Sequence, residues 1–549
     1  MNGKERFMDE FVKDNNYYGD FSLVKEPDPS FKKSDARENL ILGKPQKIKN
    51  FERIVDARAT DWFNTPASEK QLTDGVYAKE PICQDPEFFH FTAGAARSIL
   101  YDFGGLCAVD GFAVGALKEN STAVRLPARV CLQLSENGKD WQTVGDLSGF
   151  SSDKDNDIVR KCATFGKAYK ARYAKITFMV VVHIWLDQIE IFGKKNPDGA
   201  YAIVPDDIQD TDFPDRFAST AQLGAKDVLL SYICGKGREP ITKEIYLPHV
   251  AYIEDGKIKD TLFDSVLYLP YVNYLYDGGT KRPLKKEDWQ YYVDVQYQNG
   301  VNMDALDEAA KEVGEAIGDP DYKVGVFLSI LYPVTAVEDF GEINGRHLNF
   351  KNVADRKEAL KWLIDIQKDG YDAKKYKHLK LLGYYWFTEE INYGDTQLLE
   401  MLHFTTDYVR TLGLITTWIP YFNASGFNDW RHLGFDIACY QPNYAFNRKV
   451  PDKRLFDAAN TAKLLGMCIE LEMGGTDGWN IERMKKYYAA GAITGYMKDA
   501  AHLYYQGGVP GYYYSAYISE DPNLHSIYKD TYDFIKGNFD PDGIEFGEE

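Results

Sequence analysis

The chain has 549 residues, a formal net charge of −19 and 44% hydrophobic residues. That length exceeds one ordinary domain, and the hydrophobic share allows large cores. The acidic balance argues against a nucleic-acid partner, which wants a basic face, and no apolar run reaches the ~20 residues that span a membrane.

Residues 1–40 are polar, with Pro27 and Pro29, and read as a loosely ordered leader. The start, Met1-Asn-Gly-Lys-Glu-Arg6, holds no apolar signal core, which leaves two readings open: a cytosolic protein, or an exported one whose leader is absent from this sequence. Residues 41–195 read as all-β. Short alternating runs such as Ala128–Leu134 and Tyr173–Phe178 are separated by turn signals like Glu136-Asn-Gly-Lys139, a pattern that predicts a β-sandwich. The seven cysteines include no CxxC pair, so buried free thiols are expected rather than a disulfide scaffold. Nine scattered histidines form no HExxH or His-x-His, so no catalytic metal or other cofactor is expected.

Several phrases in this region resemble the discoidin, or coagulation-factor type C, domain. They are Leu72-Thr-Asp-Gly75, Ser98-Ile-Leu-Tyr-Asp-Phe-Gly104, Leu134-Ser-Glu-Asn-Gly-Lys-Asp-Trp141, Arg172-Tyr-Ala-Lys-Ile176 and Asp187-Gln-Ile-Glu-Ile-Phe-Gly193. The resemblance implies a galactose-binding-like jelly roll, a sugar ligand and a structural calcium near the Leu-Thr-Asp-Gly loop, with Asp74 as a contact.

Residues 196–224 read as a linker, and beyond Pro205 the pattern changes. Apolar strands are predicted at Val228–Ile233, Phe263–Leu269, Val324–Leu331, Leu379–Phe387, Leu414–Pro420, Phe435–Tyr440, Gly466–Glu472 and His502–Tyr505. Amphipathic stretches stand between them: Leu360, Leu363, Ile364 and Gln367 recur at helical spacing, as do Leu455, Ala459, Ala462 and Leu465. Asp355 and Asp452 are expected as helix N-caps, and Tyr246–Lys257 as a small β insertion before the second strand. Residues 225–549 therefore predict a (β/α)8 TIM barrel carrying the catalytic function. A doubly wound sheet competes, but no glycine-rich phosphate loop follows the first strand.

In such a barrel the C-terminal strand ends form the active site. The fourth strand ends in Trp386-Phe-Thr-Glu-Glu390 and the seventh in Glu470-Leu-Glu472. Alternation sends Glu470 and Glu472 the same way and allows only one of Glu389 and Glu390 inward. Two carboxyl groups facing across a cleft suit glycoside hydrolysis, with ~5–5.5 Å between them for retention and ~6.5–9.5 Å for inversion. Glu389 is read as general acid/base and Glu472 as nucleophile of a retaining enzyme, by analogy with retaining glycosidases that use strands four and seven. Aromatics reach 14%, and stacking platforms for sugar rings are expected among Trp386, Trp418, Trp430 and Trp479. Tyr421, Asn423, Gln441, Asn443, Tyr444, Glu470 and Tyr505 complete the expected sugar-binding set.

Lys377-His-Leu-Lys-Leu-Leu-Gly-Tyr-Tyr-Trp386, Trp418-Ile-Pro-Tyr421, Gly434-Phe-Asp436, Gln441-Pro-Asn-Tyr444 and Glu470-Leu-Glu472 resemble one bacterial family, a domain of unknown function (DUF4855), over about residues 225–540. The resemblance implies an exported component of a glycan-degrading system. Two further readings stand beside the hydrolase: a non-catalytic carbohydrate-binding protein, and a lyase on uronic acids, which would want a basic cleft that the strand ends do not show.

Overall fold

In a computed structural model the described residues are 37–50, 69–92, 96–122, 124, 126–127, 129–148, 150–180, 183–205, 216–233, 236–237, 239–272, 275, 282–392, 395, 397–422, 424–431 and 433–547. They fall into two compact units, Met1–Thr211 with Asn392–Thr396, and Asp212–Ile391 with Gln397–Glu549.

The first unit is an antiparallel all-β sheet. Its strands are β1 (Glu38–Asn39), β2 (Lys47–Asn50), β3 (Phe89–Thr92), β4 (Ala96–Glu119), β5 (Arg129–Ser135), β6 (Gln142–Ser148), β7 (Asn156–Met179) and β8 (His183–Lys194), paired in the order β1-β8-β4-β7-β5-β6, with β2 on β4 and β3 on β8. The runs read as separate short strands are partly segments of two 24-residue strands, β4 and β7. Register shifts bend their pairing between Asp102 and Cys107 and between Val109 and Gly111, where a β-bulge lets a long ribbon twist. Alternate residues such as Ile99, Tyr101, Leu132, Leu134, Ala174 and Ile176 are buried in one core. Pairing already begins at Glu38, inside the expected leader, while residues 1–36 lie outside the described part. The expected linker is narrower than drawn. Tyr201 bridges Tyr169 in the first unit, and Ala218 and Leu223 join the core of the second.

In the second unit eight parallel strands close into a barrel: β9 (Asp227–Ile233), β12 (Ser265–Pro270), β13 (Val324–Ile330), β16 (Leu379–Trp386), β17 (Ile415–Trp418), β18 (Ile437–Tyr440), β19 (Cys468–Glu472) and β20 (His502–Tyr505). Each coincides with a predicted strand to within about two residues, because a strand covered on both faces reads as a continuous apolar run. Helices occupy most crossovers, among them α1 (Lys243–Val250), α2 (Val353–Lys374), α3 (Leu398–Thr411), α4 (Lys453–Leu465) and α5 (Gly478–Thr494). The β17–β18 crossover departs from this pattern: its assigned element is a 3-10 turn, Phe427–Asp429. Inward residues Val228, Leu230, Leu267, Phe327, Ile437, Cys439, Cys468 and Leu503 fill the lumen. The barrel shuts where β20 meets β9. There His502 Nδ1 lies 2.9 Å from Asp227 Oδ1, and the Tyr504 hydroxyl donates to the same oxygen at 2.7 Å.

Three local expectations are corrected. Asn352, not Asp355, caps α2, accepting from the Ala354 N–H at 2.9 Å; Asp355 sits inside the first turn and accepts from Asn349 N–H and Arg346. Asp452 holds the expected N-cap position of α4, but its side chain caps no N–H there, because its carboxylate is taken by the Tyr444 hydroxyl, Lys486 and the Gly547 N–H. Tyr246 belongs to α1, and the β insertion is the hairpin β10 (Ala251–Glu254) with β11 (Lys257–Thr261), turned at Asp255-Gly256 with both φ positive. The same chemistry at Asn344-Gly345 turns a second hairpin, β14 (Gly341–Ile343) with β15 (Arg346–Leu348), which the sequence reading missed.

Six cysteines, Cys83, Cys107, Cys131, Cys162, Cys439 and Cys468, are free thiols, and Cys234 lies outside the described residues. Among the described residues no helix is long and apolar enough to cross a membrane.

Candidate active site at the barrel mouth

Because the eight strands are parallel, all their C-terminal ends open on one side. Alternation carries the inward register of each strand to that rim. Val228 and Leu230 lead to Tyr232, Leu267 and Leu269 to Tyr271, Ile437 and Cys439 to Gln441, Cys468 to Glu470 and Glu472, and Leu503 to Tyr505. Glu389 reaches the same space from the loop after β16. That loop is pinned at three points: Trp418 Nε1 donates to Thr388 O at 2.7 Å, Tyr421 N–H to Glu389 O at 3.3 Å, and Ile391 N–H to Ser425 O at 3.0 Å.

Three carboxyl groups converge here, in three different settings. Glu389 keeps exposed surface and takes a hydrogen bond from Gln441 Nε2 at 3.4 Å. Surrounding protein strips enough water from it to raise its pKa, with Glu390 adding to the rise and Gln441 opposing it. Glu472 is 2% exposed. Its Oε2 accepts from the Tyr444 N–H at 3.0 Å and from the Tyr487 hydroxyl of α5. Burial raises it to about 7, against the pull of those two donors and with a further push from Glu389. Glu470 is fully buried, and neither of its oxygens has a hydrogen-bond partner among the described residues. Burial, then Glu472 and Glu389, drive it well above the usual carboxylate range, and Gln441 leans on it only weakly, short of a formed hydrogen bond. Glu472 therefore feels the charge of Glu389, and Glu470 that of both. Glu390 turns aside and accepts from the Tyr421 hydroxyl at 3.0 Å.

Aromatic side chains line this mouth, Tyr505 among them as expected, but not the tryptophans that the sequence suggested. Trp386, Trp418 and Trp430 are buried in packing, and Trp418 stacks on Phe435 at 5.3 Å. Trp479 is held between Arg448 and Arg483, 5.1 and 4.6 Å from its ring. None of the first three offers a free face to a sugar. The tyrosines do the lining: Tyr232 stacks on Tyr271 at 4.5 Å and meets Tyr505 edge-on at 6.5 Å, and Phe446, 51% exposed, stands edge-on to Tyr505 at 5.5 Å. Burial and the nearby Glu389 push Tyr232 up to about 12. Of the remaining expected residues, Tyr444 is fully buried, with its ring under Arg483 at 3.8 Å, so it holds Glu472 through its backbone rather than touching a ligand. Asn443 is exposed with φ of 51°, and Asn423 lies outside the described residues. Sequence reasoning missed Tyr232, Tyr271 and Phe446. The inward register of the first two strands would have found the tyrosines.

In the first unit, one oxygen of Asp74 is engaged within its own loop and by Gln188: Oδ1 takes the Val76 N–H and Gln188 Nε2, both at 2.8 Å. Among the described residues no cluster of acidic, His or Cys side chains could hold a metal. The buried positive charge beside this loop is Arg160, paired with Asp187 and 4.1 Å from the Tyr77 ring, while the Tyr77 hydroxyl donates to Glu190 at 2.8 Å.

A family model described as "Domain of unknown function (DUF4855)" matches residues 227–533. Among solved structures, a fucose binding module of Streptococcus pneumoniae shares 17% identity over 29% of this chain and 99% of its own, with a TM-score of 0.21. CpGH89CBM32-6 from Clostridium perfringens shares 12% identity over 28% of this chain and 99% of its own, with a TM-score of 0.20. The lectin domain of lectinolysin, complexed with Lewis B antigen, shares 16% over 29% and 97%, also at 0.20. No curated protein matches the chain.

Proposed function

The chain belongs to the DUF4855 family, and since that description carries no reaction, we propose one from the site: a glycoside hydrolase that cleaves a complex glycan by the retaining mechanism. The observation that carries this reading is the unequal setting of Glu389 and Glu472 on opposite parts of one barrel mouth.

A glycosidase needs one carboxyl that can hold a proton for the leaving oxygen and one carboxylate for the anomeric carbon. Glu389 suits the first role: desolvation favours its protonated form, and Gln441 orients it. Glu472 suits the second, because two donors, Tyr487 and the Tyr444 N–H, stabilise and aim its anion. After attack, Glu389 as its anion would take a proton from water and release the sugar. Tyr232, Tyr505 and Phe446 supply apolar edges and hydroxyls for sugar rings. The barrel is read as a (β/α)8 catalytic domain, and the antiparallel unit as a jelly-roll accessory module for carbohydrate. The setting is that of an exported protein.

Glu389→Gln and Glu472→Gln should each abolish release of sugar from a glycan panel while circular dichroism stays unchanged. Proton NMR of the first product should show the anomeric configuration retained. Full activity in both variants, or an inverted product, would overturn the assignment.

A further inference from the structure

Neither catalytic role uses Glu470, and its situation is the least comfortable in the mouth. Its carboxyl is fully buried, and both oxygens lack a hydrogen-bond partner among the described residues. Buried polar groups are ordinarily hydrogen-bonded, and one left unmade costs about 1–3 kcal/mol. Glu470 is aimed into the mouth. It shares the inward face of β19 with Cys468, and its charge is felt by Tyr232, Tyr385 and Tyr505, which come from three other strands. An orphaned acceptor pair in that position is completed by donors that arrive with a ligand.

The surroundings select the donor. The charged neighbours that act on Glu470 are Glu389 and Glu472, both carboxyls. The other groups facing it are the Gln441 amide, short of a formed hydrogen bond, hydroxyls and the Cys439 thiol. Arg454, the cation whose position feels Glu472, is turned to the Phe422 ring at 3.7 Å and donates to the Pro442 carbonyl at 3.1 Å. A sugar hydroxyl would satisfy one oxygen but bring no charge to offset ionisation of Glu470 beside Glu389 and Glu472. An ammonium brings three donors, no acceptor and the missing positive charge.

We propose that Glu470 receives the protonated amine of an amino sugar at the reacting subsite, so that the substrate class is a glycan carrying free glucosamine or galactosamine. This rests on the glycosidase reading of the same mouth. Without ligand, burial and the two neighbouring carboxyls favour the protonated form of Glu470; pairing with an ammonium favours its anion, so binding releases a proton.

The full chain is titrated calorimetrically with glucosamine and galactosamine, with their N-acetyl forms, and with glucose and galactose. Two buffers of different ionisation heat are used at about pH 6, where the free amines are protonated. At least one amine should bind about tenfold tighter than its neutral counterparts, with release of close to one proton, and Glu470→Gln should reduce that preference to about threefold or less. Equal binding of neutral and amine sugars, or a Gln variant that keeps the preference, overturns the proposal. Should Glu470→Gln fail to fold, wild-type proton release decides: none, or uptake, overturns it. A reducing-sugar assay on acetylated and deacetylated glycans separates the two readings. Faster cleavage of the neutral glycan keeps the glycosidase and removes the amine subsite. An amine preference with no sugar released from any glycan keeps the subsite and removes the glycosidase.

Discussion

Replacing Glu472 by Gln should stabilise the barrel, and more so as the pH rises. The argument starts from the carboxyl's ordinary value of 4.5 and its folded value of about 7. A folded value above the unfolded one means that the folded state holds the proton more tightly. The group's contribution to folding is thus fully present below the unfolded value and is lost as pH climbs through the folded one. Between those limits the loss amounts to roughly 3 kcal/mol, of which about 1 kcal/mol has appeared by about pH 5 and nearly all by about pH 8. A Gln side chain does not ionise, and its amide oxygen can still accept from Tyr487 and the Tyr444 N–H. The assay is differential scanning calorimetry of both proteins from about pH 5 to pH 8, following the transition of the barrel. At roughly 2–4 °C per kcal/mol, the gap in Tm should widen by about 5 °C across that range. Parallel Tm curves, or a gap that widens towards acid, would refute the reasoning about Glu472's burial.

Tyr487→Phe removes a donor from the Glu472 anion, so the acid limb of activity should move up by about one pH unit and kcat should fall roughly tenfold, read from a pH–rate profile. Trp418→Ala should cost about 3–5 kcal/mol in chemical denaturation, whereas Phe446→Ala should leave stability alone and weaken glycan binding by about 1 kcal/mol, because the first ring is core and the second is exposed rim. In the other unit, Arg160→Leu strands the buried Asp187 carboxylate and should destabilise by about 3–5 kcal/mol, read from its melting transition.

The barrel was legible because its physics is local and repetitive. Each inner strand is a short apolar run, and alternation alone placed Glu470 and Glu472 on one face. The place of Glu472 at a strand end was legible for the same reason. The stacking surface was not. A tryptophan at a strand end reads alike whether its ring faces sugar or packs under a loop, and only the fold shows that Trp418 spends its N–H on Thr388 O. Tyr232 and Tyr271 were passed over for the converse reason, since a tyrosine closing an apolar run looks like core. The long ribbons β4 and β7 escaped because their bulges break the alternation that a sequence reading counts. The missing N-cap at Asp355 reflects a helix that begins one turn earlier, at an asparagine equally able to cap.

The seam between β20 and β9 also sets a timetable for biosynthesis. Asp227 and His502 stand 275 residues apart. At ~5–20 residues per second, the ribosome takes roughly 15–60 s to supply the partner of the first strand. Throughout that interval one edge of β9 has nothing to pair with, and an apolar strand edge is an invitation to pair with another chain. The strand opens with a carboxylate, Asp227, which makes that edge unwelcoming to a stray partner until Tyr504 and His502 arrive to claim it. The residue that locks the finished barrel is thus also suited to guarding the unfinished one.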